Sequence, residues 1–588
     1  MGCPDLRSFV QVLRDRKDIV EINAEVDPKL ELAEIHRRVI AEQGPALLFR
    51  RVRGSNYPVA TNLFGTKDRV DLAFGDEGRK VVEEVARLPI DLVPPSVGKL
   101  WQKRSLFSRL FKVGLRYEGF DTGRWESNTS ANLDDLPIIT SWEKDGGPFF
   151  TLPLVYTEHP VDHTHNLGIY RMHKFSRNTT GMHMQIGKGG GFHLARAKEL
   201  NQKLPLNVFL GGPPAAIVSA IAPLPENVPE LLLASLLLKK RLRLGRSGYG
   251  PLPFLADAEF VLLGSVDPNE LHPEGPFGDH YGYYSWIHDF PVFRCHAMLR
   301  RRDAIYPATV VGKPRQEDYF IGNYLQELLS PLFPLVMPAV KDLWSYGETG
   351  YHSLAAAVVA ERYKREAMVS AFRILGEGQL ALTKFLLLVD RPMDLQDFPK
   401  VLEYILERAD FRTDLYVFSN LSMDTLDYTG PKLNEGSKGV LLGMGDPIRT
   451  LPKSFDGNLP AGLREAKVFC PGCLVVSNVD YASNPRAAEE ISQLPELRDW
   501  PLVILVDRVA DATASSAAFL WTAFTRFEPA GDITASNVSL HRFHPLLEPP
   551  VVIDARMKPQ YPDELFCDPQ TAATVDSRWK EYFPHSPI

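Results

Sequence analysis

Cysteine is scarce. Five cysteines in 588 residues cannot form a disulfide framework. Cys470 and Cys473 make one CxxC, but a zinc ribbon needs a second pair and none follows. A reduced structural turn at Pro471-Gly472 is the expectation there, with a redox pair as the alternative. Long apolar runs are missing too. Leu231 to Leu238 stops at Lys239, Lys240 and Arg241, and Val208 to Ala222 is broken by Gly211, Gly212, Pro213 and Pro214. Neither reaches the roughly 20 residues of a membrane helix. Met1 to Val10 carries Asp5 and Arg7 in place of the apolar core of a secretory signal, so a cytoplasmic protein is expected. Positive charge is not in excess: the net charge is −7, which argues against nucleic acid as the main partner. There is no G-x-S-x-G, no H-E-x-x-H, and no G-x-G-x-x-G between a strand and a helix. Serine hydrolase, zincin and classical nicotinamide dehydrogenase are thereby disfavoured.

What is present reads as globular, with 44% hydrophobic and 24% charged residues. The length calls for several domains. Residues 1–115 read as mixed α/β. Leu6, Phe9, Val10 and Leu13 recur at helical spacing, Ile19 to Ile22 alternates like a strand, and Leu30 to Val39 is a second helix. A basic helix is predicted from Val97 to Phe111. From 116 to 316 short β-like runs dominate: Phe149 to Val155, Leu167 to Met172, Met182 to Ile186, Phe260 to Val266 and Val292 to Ala297. Their spacing suggests an open sheet or small barrel, interrupted by helices at Ala215 to Ile221 and Glu230 to Leu237. Arg241-Leu242-Arg243-Leu244 reads as a solvated edge strand. Residues 317–450 alternate again: a helix at Val358 to Phe372, a buried strand at Phe385 to Val389, a helix at Phe398 to Arg408 and a strand at Asp414 to Phe418. This is the βαβ pattern of a parallel sheet. Leu388-Val389-Asp390-Arg391 recurs as Leu505-Val506-Asp507-Arg508, with Arg408 and Asp414 answered by Arg526 and Asp532. Residues 451–545 are therefore read as a related strand–helix–strand unit, and 546–588 as a tail. The fold class is α/β, α+β overall.

Three segments carry chemistry. Asn166 to Arg171 ends on an arginine that could pair with a substrate carboxylate or with a structural partner. Ile186-Gly187-Lys188-Gly189-Gly190-Gly191 sets four glycines around a lysine, where backbone N–H groups can approach a phosphate; a surface turn has the same composition. In Pro273 to His280, Glu274 and Asp279 stand five residues apart, and Gly275, Pro276 and Gly278 exclude a helix between them. Such a turn can aim both carboxylates into one cavity, where one would keep a proton near neutral pH and serve as a general acid. Two solvated loop carboxylates are the alternative.

Together these segments resemble the UbiD family of decarboxylases. The resemblance rests on Asn166-Leu167-Gly168-Ile169-Tyr170-Arg171, Pro223-Leu224-Pro225 followed by Glu230, Glu274 to Asp279, Gly436-Ser437-Lys438, and Val551-Val552-Ile553-Asp554-Ala555. It implies a central prenylated-FMN-binding, split β-barrel-like domain between two α/β domains, with 451–545 as an extra repeated unit that short members lack. It implies prenylated FMN, made by a partner flavin prenyltransferase and acting as an electron sink. A divalent cation, usually Mn2+, accompanies it, often with K+. Carried over residue by residue, Asn166 and Glu230 would bind metal. Ile169, Tyr170, Arg171, His183, Met184, Gln185, Lys188, Gly189 and Lys438 would line the cofactor, and Arg171, Glu274 and Asp279 would be catalytic. One departure is Gly187, where some members place a histidine ligand. The implied activity is decarboxylation of a prenylated hydroxybenzoate in ubiquinone or menaquinone biosynthesis. A dihydroxynaphthoate decarboxylase, an aromatic carboxylase and a flavin-binding scaffold or sensor are the alternatives. A homodimer or larger homo-oligomer is expected, with peripheral membrane contact if the substrate is polyprenylated.

Overall fold

The computed structural model describes residues 2–184, 189–222, 224, 229–313, 315–456 and 458–584, less the side chains of residues 76 and 77. The chain forms two compact units: Met1–Leu328 with Asp563–Ile588, and Leu329–Pro562.

The first unit opens with the helix Leu6–Asp15. Asp5 caps it, accepting from the Ser8 N–H at 2.8 Å, and Leu6, Phe9, Val10 and Leu13 are buried. A four-stranded sheet follows in the order Ile19–Val26, Ala46–Val52, Val59–Thr61, Tyr306–Pro307. The helix Pro569–Tyr582 belongs here, because Val575 and Tyr582 share a core with Ile22, Leu32 and Ile35. The basic stretch forms two helices, Val97–Gln102 and Arg104–Leu110.

The central sheet is antiparallel, in the order Thr179–Gly181, His288–Arg301, Phe260–Glu274, Leu204–Leu210, Pro153–Glu158, His165–Ile169, with Trp125–Asn128 also on His288–Arg301. It is open, the first of the two forms expected. Helices Pro214–Ala220 and Glu230–Leu238 stand where the apolar runs placed them. The expected edge strand is corrected: Leu242–Gly245 is the middle strand between Phe254–Leu255 and Leu115–Glu118. There Arg243 pairs with Asp257 and Glu118.

The second unit holds two five-stranded sheets of the same order. One runs Val340–Ser345, Leu354–Val359, Phe385–Val389, Glu435–Gly443, Leu415–Ser422. The other runs Glu465–Cys470, Cys473–Ser477, Leu502–Val506, His544–Asp554, Ile533–His541. In each, the three inner strands are parallel and the two outer strands antiparallel. Local contacts repeat as well. Asp414 accepts from the Asp410 N–H at 2.8 Å, and Asp532 from the Glu528 N–H at 2.7 Å. Asp390 accepts from Gly445 N–H at 2.8 Å, and Asp507 from Met557 N–H at 2.9 Å. The repeat is thus a whole sheet. The boundary expected at 545/546 falls inside the strand His544–Asp554, which completes that sheet.

The helix expected at Val358 to Phe372 begins only at Glu366, because Leu354–Val359 is a strand with every residue buried. A strand covered on both faces shows no alternation for the sequence to reveal. Phe398–Arg408 is helical as expected. Phe398 lies 5.7 Å from Phe524 and 6.0 Å from Phe519, so both sheets share one core. Cys470 and Cys473 face each other across the turn of a hairpin, both as buried free thiols.

Candidate active site

Arg171 stands just past the end of the strand His165–Ile169. Glu274 is the last residue of Phe260–Glu274, and Asp279 lies in the loop that leads to His288–Arg301. At Gly275 the chain turns with φ +103, a conformation that glycine adopts without a Cβ clash. The Ser285 N–H then donates to Phe277 O at 2.8 Å, and the Asp279 N–H to Tyr283 O at 3.0 Å. The loop is therefore a closed hairpin that aims Glu274 and Asp279 at the same guanidinium.

Arg171 Nε and Nη2 each donate to one Glu274 oxygen at 2.9 Å. Nη1 donates to Asp279 Oδ2, and Nη2 also reaches Ser285 Oγ at 3.1 Å. The guanidinium lies 4.8 Å over the Phe277 ring. The solvated-loop alternative is excluded, because Glu274 is 0% exposed and Asp279 7%.

Two expectations are corrected here. The paired carboxylates do not share a proton, because each faces a cation rather than the other. Burial alone would raise both. Against it, the Arg171 charge brings Glu274 down to about 2. A hydrogen bond from His280 and the Arg171 charge hold Asp279 below the usual carboxylate range. In addition, the bidentate edge of Arg171 expected to anchor a substrate is filled by Glu274, and Nη1 is taken by Asp279.

Three further partners were not among the expected site residues. Ser285 Oγ accepts from both Arg171 and the Phe277 N–H, the latter at 3.1 Å. Asp145 accepts from the Gly278 N–H at 2.8 Å and from Ser141 and Trp142 N–H at 3.0 and 2.9 Å. Burial raises Asp145 to about 7 despite those bonds. His280 binds Asp279 Oδ1 through its backbone N–H and its ring Nδ1, both at 2.7 Å. Of the three, only His280 stood inside a segment that sequence reading singled out.

Other expected residues divide into two groups. His183 joins the arginine cluster, with Nδ1 3.3 Å from Glu274 Oε2 and its ring 4.2 Å from Phe290. Burial lowers its imidazole below the ordinary value. Met184 is buried beside it in sequence. Asn166, Tyr170, Gly189 and Glu230 form a second cluster. The Asn166 amide donates to Glu230 Oε1 and the Leu167 N–H to Oε2, both at 2.9 Å. Tyr170 Oη donates to Asn166 Oδ1 at 3.2 Å and accepts from Gly190 N–H at 3.1 Å. A Cβ on Gly189 would come within 2.5 Å of the Asn166 amide nitrogen, so only glycine permits this approach. The strand His165–Ile169 carries Asn166 and Ile169 and leads into Arg171.

Gln185, Gly187 and Lys188 lie outside the described residues, as do Pro223 and Pro225. Lys438 lies in the second unit on Glu435–Gly443. There it donates to Thr383 O at 2.9 Å, and burial lowers it to about 8.

The second cluster fits a hard cation. Burial raises Glu230 above its ordinary value, and its partners among the described residues are neutral N–H donors. Uncompensated burial of this kind favours an added positive charge, and oxygen donors suit Mg2+ or Mn2+. Among the described residues no three His, Cys, Asp or Glu side chains gather as a metal site, so the protein would supply only part of the coordination. The glycine-opened N-terminus of the helix Gly189–Glu199 beside it suits a phosphate.

Three family models match in chain order. The N-terminal, Rift-related and C-terminal domains of 3-octaprenyl-4-hydroxybenzoate carboxy-lyase cover residues 10–88, 121–314 and 319–443. A Chlamydia pneumoniae protein named as a subunit of 4-hydroxybenzoate decarboxylase is 51% identical over 580 residues, covering 99% of this chain and 98% of that one. An Archaeoglobus fulgidus protein is 34% identical over 437 residues, 73% of this chain and 89% of that one. Among solved structures, the closed form of Sedimentibacter hydroxybenzoicus vanillic acid decarboxylase superimposes with a TM-score of 0.65 at 22% identity, over 78% of this chain and 95% of that one. The UbiD-class enzyme HmfF from Pelotomaculum thermopropionicum, in complex with prFMN, gives 0.61 at 21%, over 75% and 94%.

Proposed function

Since this chain belongs to the UbiD family of carboxy-lyases, we propose that its Arg171–Glu274–Asp279 cluster decarboxylates an aromatic carboxylic acid without net oxidation, using prenylated FMN and a divalent cation. One observation carries this reading. A buried arginine is clamped between two buried carboxylates on a rigid hairpin, an arrangement too costly to desolvate for packing alone to explain.

Prenylated FMN supplies an electron sink for the pair left when CO2 departs. The protein's own groups do the rest. Asn166 and Glu230 would hold the cation, and the N-terminus of the helix Gly189–Glu199 the phosphate. Arg171 orients the substrate carboxylate. Ser285 and Asp145 keep the hairpin closed, and Asp279 is the group placed to hand a proton to the vacated carbon.

A prenylated hydroxybenzoate in quinone biosynthesis is the substrate proposed first. The name of the Chlamydia pneumoniae relative supports the hydroxybenzoate part. Val97, Trp101 and Phe111 are exposed at 84%, 68% and 81%. With six Lys and Arg and no Asp or Glu between Val97 and Arg116, they support contact with an anionic membrane that would hold a polyprenylated substrate. Mn2+ with K+, a flavin prenyltransferase as supplier and a homo-oligomer complete the proposal.

Co-expression with a flavin prenyltransferase tests it. The purified protein should show a flavin absorption spectrum and release CO2 from a hydroxybenzoate or dihydroxynaphthoate. Flavin binding with no CO2 from any aromatic acid would favour the scaffold alternative.

A further inference from the structure

Decarboxylation replaces a carboxylate by hydrogen, so every turnover consumes one proton. Asp279 has none to give as the structure holds it. Its Oδ2 accepts from Arg171, and its Oδ1 from the backbone N–H and ring Nδ1 of His280 at 2.7 Å each. The proton must reach Asp279 from a neighbour. Arg171 does not deprotonate in a protein, and a backbone amide does not either. Among the hydrogen-bond partners of Asp279 in the described residues this leaves the His280 imidazole, the one side chain type that ordinarily gains and loses a proton near neutral pH. An ionised carboxylate only accepts, so it is Nδ1 of His280 that bears the hydrogen in this bond.

We propose that His280 is the positioning residue that loads Asp279 with the proton delivered to the substrate. The proposal rests on the decarboxylase reading above. In the step itself, the bond from the ring carbon to the carboxylate breaks and CO2 leaves. The electron pair of that bond ends in a new C–H bond, made with the proton from Asp279. His280 Nδ1 passes its proton to Asp279 Oδ1, and solvent returns one to His280. One solvent proton is consumed and one CO2 released, with no redox change in the protein.

The exposures fit this direction of flow. The His280 side chain is 26% exposed, Asp279 10% and Glu274 0%, so the histidine is the wet end of the chain. Asp318, on the helix Glu317–Leu329, interacts with the charges of both His280 and Asp279, and burial raises its carboxyl to about 6. A second group able to exchange protons near neutral pH therefore borders the pair. Among the described residues Glu274 has no such supply. Arg171 takes both of its oxygens, and its remaining partner is His183, whose burial favours the neutral ring.

Two measurements decide the matter. The first needs no turnover. In the full chain labelled with 15N-histidine, His280 should show a proton on Nδ1 at neutral pH. The signal is assigned by its disappearance in His280→Asn, and it should be lost in Asp279→Leu. An unprotonated Nδ1 would overturn the proposal. The second uses the flavin-loaded enzyme. His280→Asn keeps a donor at the Nδ1 position and so keeps Asp279 in place, but it carries no exchangeable charge. Its kcat should fall about 10²–10⁴-fold with KM within about twofold and flavin content unchanged. Added imidazole should restore part of the turnover of His280→Ala. A His280→Asn enzyme with wild-type kcat would overturn the relay. If the decarboxylase reading itself fails, wild-type enzyme releases no CO2 from any acid tried, and the Nδ1 signal alone then decides whether the proton-bearing pair exists.

Discussion

The Asp279 carboxylate is held by three donors, yet its chemistry depends on one oxygen. Asp279→Asn preserves shape and polarity but cannot carry a proton. Decarboxylation should drop at least about a hundredfold, and incorporation of solvent deuterium into product should drop in parallel, with flavin content and Tm near wild type. Wild-type turnover in that variant would shift the acid role to Glu274. Glu230→Gln removes the one carboxylate in the second cluster. The variant should fold normally and lose metal and flavin together, read by elemental analysis and absorbance; full occupancy would contradict the cation site. Arg171→Met leaves two buried carboxylates without their cation and should cost about 3–5 kcal/mol at neutral pH. The pH dependence has a definite sign. With Arg171 present, Glu274 is depressed from 4.5 to about 2. Its contribution is therefore full above about pH 4.5 and lost as pH falls toward 2. Without Arg171 burial is the largest remaining effect, opposed by His183, so protonation relieves the variant. Urea unfolding at pH 7 and pH 4 should show the wild-type advantage narrowing in acid.

Elements place these side chains, and their legibility in the sequence is uneven. Phe398–Arg408 and Glu230–Leu238 are legible because a helix buries one stripe or one apolar block and stops at charge. Leu354–Val359 reads in part as helix because burial on both faces erases the period of two. The strand at Leu242 is recognisable, but its place in the sheet is not, since only pairing shows whether a strand has one neighbour or two. The helices Val97–Gln102 and Arg104–Leu110 lie between the first two family matches, which end at 88 and resume at 121. If they meet a membrane, the full protein should sediment with vesicles containing phosphatidylserine and not with phosphatidylcholine alone. Changing Lys99, Arg104 and Lys112 to Gln should weaken this about a hundredfold, at about 1 kcal/mol per charge. Equal binding to both vesicles would refute a basic docking face.

For the molecule, the repeated sheets of the second unit make a prediction about cooperativity. Leu387 and Ile504 occupy equivalent inner-strand positions in the two sheets and belong to one core. Leu387→Ala and Ile504→Ala should each cost about 2–5 kcal/mol. Either one should lower a single calorimetric transition of this unit, not split it. Two separated transitions would mean that the sheets fold as independent domains.

Sequence alone determined the family wording, the α/β class, the repeat tetrapeptides and the trio Arg171, Glu274 and Asp279. Each is a local string or a local period, and physics at that range is written in consecutive residues. Tertiary structure decided what the trio is chemically. That the guanidinium stands between the carboxylates, so that both are ionised, depends on a strand end meeting a hairpin 103 and 108 residues further along. The same holds for Asp145, 133 residues before the Gly278 N–H that it accepts from. The charge state of a buried group is set by whatever the fold brings within a few ångströms, and sequence proximity does not encode that distance.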